Sequence, residues 1–357
     1  MFDGARILVA PLDWGLGHAA RCIPVIRALL SNGAVPIVGA DGGPAALLRS
    51  EFPELEHVHI PGMTVRYSKG NNQLWSMARQ FPAMLRSVRE EAARFDQIRR
   101  KLHLDAVISD QRFGIRSPDL PSILITHQVF PFTPVAQRAL RKLNLRHMAR
   151  FDRCWIMDEP DTPGLAGDLS HGEALPPNAR FIGPLSRMAT MPTKGEADRF
   201  AVVAVISGPE PQRTILDGML TEQLQRIEGE HLLVRGLPSS QERTRHTNLT
   251  TVAHLSGTEL AAALRTARWI ISRSGYTTLM DLTALGRTAL IIPTPGQAEQ
   301  EYLGQLHART GRFAVQHQDH LDLIAGIAQL EHIAEVPAPR ASSLLDEALS
   351  DLAGQLH

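Results

Sequence analysis

Ile7–Leu30 reads ILVAPLDWGLGHAARCIPVIRALL, and Val202–Leu220 reads VVAVISGPEPQRTILDGML. Each passes from a short apolar run into a glycine-containing loop and then into a stretch with apolar residues at helical spacing. Strand, loop and helix in that order open a parallel sheet covered by helices. The same opening at two distant places predicts an α/β chain of two Rossmann-like domains.

Between these openings the alternation continues. Strands are expected at Arg6–Ala10, Val35–Gly39, His57–Ile60, Ala106–Ser109, Ser122–Thr126 and Cys154–Met157. Helices are expected at Ala19–Leu30 and over Asn72–Leu102, where Pro82 kinks or divides an Arg-rich segment. The stretch GPLSRMATMPTKGEADRF, Gly183–Phe200, loses periodicity and gains Pro, Gly and charge, as a linker does. The expected division is therefore an N-terminal domain over 1–185, a linker over 186–200 and a C-terminal domain over 201–357. The second series of strands is Ala201–Ile206, Leu232–Val234, Leu249–Val252, Trp269–Ile271 and Ala289–Ile292. Ser343–Leu356 reads as a terminal amphipathic helix that packs back on the first domain.

Composition narrows the function. With 357 residues, 43% of them hydrophobic, the chain holds about two ordinary cores by the usual length prior. Lys plus Arg balance Asp plus Glu at 37 each, so no overall positive field exists to grip nucleic acid. Cys22 and Cys154 are too few for a disulfide framework and read as reduced thiols. No basic, apolar leader opens the chain, and no run reaches the roughly 18 apolar residues of a spanning helix. The expectation is a cytoplasmic protein, in contact at most with the inner face of the membrane.

Three clusters follow strands and open helices. Asp13-Trp14-Gly15-Leu16-Gly17-His18 offers glycines for close backbone approach, a helix N-terminus for an anion, and a histidine suited to proton transfer. A tight turn with His18 capping or solvated is the plainer alternative. Ser272-Arg273-Ser274-Gly275-Tyr276-Thr277-Thr278 gathers hydroxyls and backbone donors at a helix start; these make either an anion cradle or simply a well-capped helix. Pro293-Thr294-Pro295-Gly296-Gln297-Ala298-Glu299-Gln300-Glu301 places Gln297, Gln300 and Glu301 where they would bond sugar hydroxyls, unless they form an ordinary acidic first turn.

In their order and spacing, the first loop, SRSGYTTLMDLTALG and PTPGQAEQE resemble the MurG-like family 28 glycosyltransferases. FIGPLSRM resembles that family's interdomain segment. The resemblance implies a GT-B fold with two domains facing a cleft, and a nucleotide-sugar donor held mainly by the C-terminal half. It implies hexosyl transfer from a UDP-sugar, with N-acetylhexosamine as one candidate sugar, by an inverting and metal-independent route in cell-envelope polysaccharide synthesis. Ser274, Gly275, Tyr276 and Thr277 would cradle the diphosphate together with Ser207 and Gly208. Asp281 would take the ribose, His254 and Leu255 the base, and Gln300 the donor sugar; Glu301 stands where the family has a second glutamine. Gly15, Gly17 and His18 match the family's N-terminal loop.

Asp13-Trp14 before the glycines and Arg21-Cys22 after them depart from that pattern. Gly-His-x-x-Arg-Cys resembles the nucleotide-sugar hydrolase of pseudaminic acid synthesis, which implies water as the alternative acceptor. A third reading is a nucleotide-sugar-binding protein without catalysis. Asp110, in ISDQRFG, is the other candidate base, and His127, in ITHQ, is placed similarly. His57/His59 and His317/His320 each lack a third metal ligand, and no Asp-x-Asp occurs, so no metal and no other cofactor is expected. The acceptor is a glycan, a lipid-linked sugar or a small molecule. The basic run Gln137–Arg153 is a candidate for contact with anionic lipid, although such runs are usually solvated faces.

Overall fold

The computed structural model describes residues 1–13, 15–62, 73–132, 137–190, 200–237, 240–334 and 343–356, apart from the side chains of 73–87 and 189–190. It separates into two compact units: Met1–Ser186 with Ala341–His357, and Arg187–Arg340.

The first unit carries strands β1 (Arg6–Ala10), β2 (Val35–Ala40), β3 (Glu56–His59), β4 (Ala106–Asp110), β5 (Ser122–Thr126), β6 (Arg153–Ile156) and β7 (Ala179–Phe181). Its helices are α1 (Leu16–Ser31), α2 (Gly42–Glu51), α3 (Gln73–Leu102), α4 (Gln137–Met148) and the single turn α5 (Asp168–His171). The strands pair in the order β3-β2-β1-β4-β5-β6-β7, all parallel. Every residue of β4 and β5 is buried because helices cover both faces of the sheet, which is why these strands are small or apolar apart from Asp110 at the end of β4. Leu8, Ile37, Phe95 and Val107 fill one face, and Leu124, Phe130, Met148 and Ile156 fill another cluster. α3 runs unbroken through Pro82 as one 30-residue helix, not as two.

The second unit has β8 (Val202–Val205), β9 (His231–Val234), β10 (Arg243–His246), β11 (Leu249–Val252), β12 (Trp269–Ser272), β13 (Leu290–Ile291) and β14 (Ala314–Val315). Its helices are α6 (Gln212–Leu224), α7 (Gly257–Thr266), α8 (Tyr276–Ala284), α9 (Ala298–Thr310) and α10 (Leu323–Leu330). The order is β10-β11-β9-β8-β12-β13-β14, with only β10 antiparallel among these pairs.

Three strands carry no signal that alternation could reveal. β10, Arg-Thr-Arg-His, is exposed at every residue, β7 is three half-buried residues, and β14 has two residues. Each lies at a sheet edge, where one side lacks a partner and burial no longer dictates residue type.

The terminal helix α11 (Leu344–Gly354) groups with the first unit, although the sequence division counted 201–357 together. It buries Ala348, Leu349, Leu352 and Ala353, packs beside α1, and pairs Asp351 with Arg153 at 2.8 Å. A stripe at this spacing has to find an apolar face. The units divide at Ser186/Arg187, at the start of the expected linker, and Met188 just after it is buried, its carbonyl accepting from Arg265 Nη2 at 2.9 Å within the second unit. Residues 191–199 lie outside the described residues.

Candidate active site

In each sheet the strand order reverses beside the first strand of the unit, between β1 and β4 and between β8 and β12. Loops diverge there at the carboxyl ends of the strands and leave a crevice where such sheets take ligands.

At the first reversal, the chain leaves β1 and enters α1 through Gly15. Its φ of 122° is open to glycine and strained for other residues, and no side chain caps the helix. His18 and Arg21 stand about one turn apart on α1 and both reach Asp110, the last residue of β4. His18 Nδ1 lies 2.8 Å from Asp110 Oδ2. Arg21 Nε donates to the same oxygen at 2.9 Å, and its Nη2 donates to Oδ1 at 2.5 Å. Asp110 has no exposed side-chain surface and Arg21 has 3%, whereas His18 has 15%, so the histidine is the most accessible of the three. Gln111, directly after Asp110, holds φ at 54°, a costly conformation for a residue with a Cβ, and turns the chain away at this point.

The neighbouring charges set the protonation of both groups. Burial pushes the Asp110 carboxyl up, but Arg21 and His18 outweigh it and hold it down at about 2, so it is ionised. Burial and then the Arg21 charge lower the His18 pKa against the opposing pull of Asp110, so the imidazole is neutral at pH 7. Arg21 Nη2 also approaches His18 Nδ1 at 2.6 Å. Nδ1 therefore faces an acceptor and a donor, and two neutral tautomers compete. With Nδ1–H donated to Asp110, Nε2 keeps a lone pair and is a base. With Nδ1 accepting from Arg21, Nε2–H is a donor.

Asp13, before the glycines, has 14% side-chain exposure and lies 3.8 Å from the buried guanidinium of Arg112. Burial raises its pKa, opposed by the Arg112 charge and by a backbone hydrogen bond at Asp41. Arg112 is anchored by Glu91 at 2.6 Å and by the carbonyls of Ile60 and Pro61. Trp14 lies outside the described residues. His127 is buried at the end of β5, on the His18 side of the sheet edge, and its charge would act on His18.

At the second reversal, Ser207 and Gly208 follow β8 and are exposed, with Gly208 at φ 106°. α8 begins at Gly275 without a side-chain cap. Capping therefore does not account for the hydroxyls of this segment: Ser274 Oγ instead donates to the Gln300 carbonyl at 2.9 Å. The first-turn amides of α8, Tyr276 and Thr277 among them, are what this end offers an anion. The Tyr276 ring is only 3% exposed and belongs to the core, so the tyrosine contributes backbone rather than side chain.

Gln300 and Glu301 brace their own loop. Gln300 Oε1 accepts from Thr294 N at 3.0 Å, its Nε2 donates to Gln297 Oε1 at 2.5 Å, and Glu301 Oε1 accepts from Gly296 N at 2.8 Å. Asp281 sits half-buried farther along α8. His254 is exposed and Leu255 half-buried, before the Ser256–Glu259 capping box of α7. Burial and then Arg187 lower the His254 pKa.

Other expectations resolve into packing. His57 Nε2 bonds the Phe52 carbonyl and His59 pairs with Asp41 at 3.2 Å; among the described residues no group of three His, Cys, Asp or Glu converges on one point. The basic run is partly spent internally, since Arg141 pairs with Glu173 and Arg153 lies in β6 against Asp351. Among the described residues no helix is long and apolar enough to cross a membrane. Arg112, Arg273 and Thr294 carry no role in the sequence alone, and Arg21 appears there only beside Cys22 in the hydrolase-like motif. For Arg21 the signal was its i+3 spacing from His18; for the others only burial reveals them.

Residues 221–356 match the model of the glycosyltransferase family 28 C-terminal domain. No protein of curated function matches the chain. Solved structures match nearly end to end. The glycotransferase of kitacinnamycin is 15% identical, covers 99% of this chain and 95% of its own, and gives a TM-score of 0.62. Spinosyn rhamnosyltransferase SpnG complexed with thymidine diphosphate is 16% identical, with 98% and 96% covered and a TM-score of 0.61. MurG from Acinetobacter baumannii is 14% identical, with 98% and 99% covered and a TM-score of 0.58. The chain has the GT-B fold of these glycosyltransferases.

Proposed function

We propose that this chain, with its GT-B fold and its match to a family 28 C-terminal domain, transfers a sugar from a UDP-sugar to a hydroxyl acceptor, with inversion and without a metal. The observation that carries the reading is the buried, ionised Asp110 holding His18 Nδ1 at 2.8 Å, where the first sheet reverses its order.

In this reading His18 Nε2 takes the proton of the acceptor hydroxyl while that oxygen bonds to the anomeric carbon. The bond from that carbon to the diphosphate oxygen breaks, and its electron pair leaves with the diphosphate. Asp110 stabilises the imidazolium that forms, the role a carboxylate plays behind a catalytic histidine. The departing anion is met by the uncapped N-terminus of α8 and the loop of Ser207 and Gly208. Helix-end interactions of this kind contribute about 0.3–2 kcal/mol. The binding of thymidine diphosphate by SpnG supports a nucleoside-diphosphate donor.

The test is release of the matching nucleoside diphosphate from a panel of UDP- and TDP-sugars, with and without hydroxyl acceptors, in a chelator. Transfer predicts release that needs an acceptor and loses about 10²–10⁴-fold in His18→Ala. Release with water alone would replace transfer by hydrolysis, the alternative that Gly17-His18 and Arg21-Cys22 suggest. A protein that binds no nucleotide would overturn the proposal.

A further inference from the structure

Arg273 has no exposed surface, yet among the described residues no carboxylate pairs with it. Its four hydrogen bonds all go to neutral oxygens. Nη1 donates to the carbonyls of Ile292 and Pro293, each at 3.3 Å. Nη2 donates to the Gln212 carbonyl at 2.8 Å and to Gln318 Oε1 at 2.7 Å. Nε has no partner. These acceptors lie in the segments that follow β8, β13 and β14, and Arg273 itself follows β12. One guanidinium thus holds together four neighbouring loops at the ligand-facing ends of the strands.

Carbonyl dipoles solvate a buried cation but do not cancel it, and leaving such a charge unpaired costs several kcal/mol. A chain selected for stability alone is better served by a carboxylate partner or an apolar side chain here. A second group nearby is also unfinished. Thr294 is 1% exposed, its hydroxyl has no hydrogen-bond partner among the described residues, and it stands 3.6 Å from where a Cβ on Gly208 would lie. A net positive charge and a spare hydroxyl, both beside the uncapped start of α8, are jointly complemented by an anion rich in oxygen.

We infer that Arg273 is a positioning residue whose uncancelled charge makes the second unit selective for a diphosphate over an uncharged nucleoside, acting through the loops it holds. This rests on the nucleotide-sugar reading above. The decisive variant is Gln318→Glu, which places a carboxylate on Arg273 with almost no change of shape; the Gln212 amide can rotate to donate to it. Calorimetric titration with UDP and with uridine, together with thermal melting, reads the outcome. The expected result is an equal or higher Tm, unchanged uridine affinity, and UDP affinity weaker by about tenfold or more. Arg273→Lys should keep much of the preference for UDP over uridine, and Arg273→Met should lose it. If Gln318→Glu leaves the UDP-to-uridine ratio at its wild-type value, the inference fails and the transferase reading stands. A wild-type protein that binds no UDP sinks that reading instead.

Discussion

His18 and Asp110 lie 92 residues apart in the chain and 2.8 Å apart in space, joined because β1 and β4 are neighbours in the sheet. Arg21 fixes the carboxylate from the same helix that carries the histidine. The consequence is a neutral imidazole beside a permanent anion.

That arrangement sets a pH profile. The groups facing His18 are Asp110, Arg21 and His127. With the neutral imidazole as the proposed base and its pKa lowered, first by burial and then by Arg21, the acid limb of kcat/KM should fall below the 6.5 of an ordinary histidine. Arg21→Met removes one lowering influence, so its limb should move to higher pH. A limb that stays in place in Arg21→Met would exclude Arg21 from tuning the base.

Asp110 makes a separate prediction for stability. Its carboxyl titrates near 3.8 when unfolded and at about 2 when folded, so its contribution is complete above pH 3.8 and disappears as pH falls through about 2. The size is about 2 kcal/mol by linkage. Urea unfolding should find Asp110→Asn less stable than wild type at pH 7, with the gap narrowing below pH 3.8.

Thr294→Val tests the spare hydroxyl on its own. Removing a buried hydroxyl that has no partner sacrifices no hydrogen bond and relieves a desolvation cost of about 1–3 kcal/mol. Thermal melting should therefore show an equal or higher Tm, while titration shows weaker UDP binding. A lower Tm would mean that the hydroxyl is bonded in the native protein.

Leu352→Ala should cost about 2–5 kcal/mol, because Leu352 is fully buried and its removal opens a cavity. Hydrogen exchange should rise in α1 and β6 and stay unchanged in β8, β9 and β12, since α11 belongs to the first unit. Faster exchange in the second sheet would reassign the helix.

Both cysteines should be silent toward thiol reagents until the protein unfolds. Burial pushes the Cys22 thiol far up and the Cys154 thiol to about 12, and it is the thiolate that reacts. Titration with a chromogenic disulfide in native buffer and in urea checks this; rapid native labelling of either would contradict the packing.

Much of the fold was legible because burial on both sides of a parallel sheet demands local apolar runs, and glycine-bearing turns punctuate them. The strands at Arg6–Ala10, Ser122–Thr126 and Leu249–Val252 have the same bounds in sequence and structure. Three of the four edge strands, β7, β10 and β14, escaped because they are half-buried, exposed or only two residues long. In the candidate site, His18 and Ser274–Thr277 stood out by residue type at a helix start, but residue type did not reveal that Ser274 and Gln300 turn inward to hold their loops.

The sequence by itself determined two α/β halves and the loops that begin their helices, since periodicity and backbone freedom are properties of neighbours along the chain. Only the tertiary structure decided that Asp110 backs His18 and that Arg273 is buried with no counter-charge among the described residues. Those facts depend on strand order and on exclusion of water, and both arise only when distant segments pack.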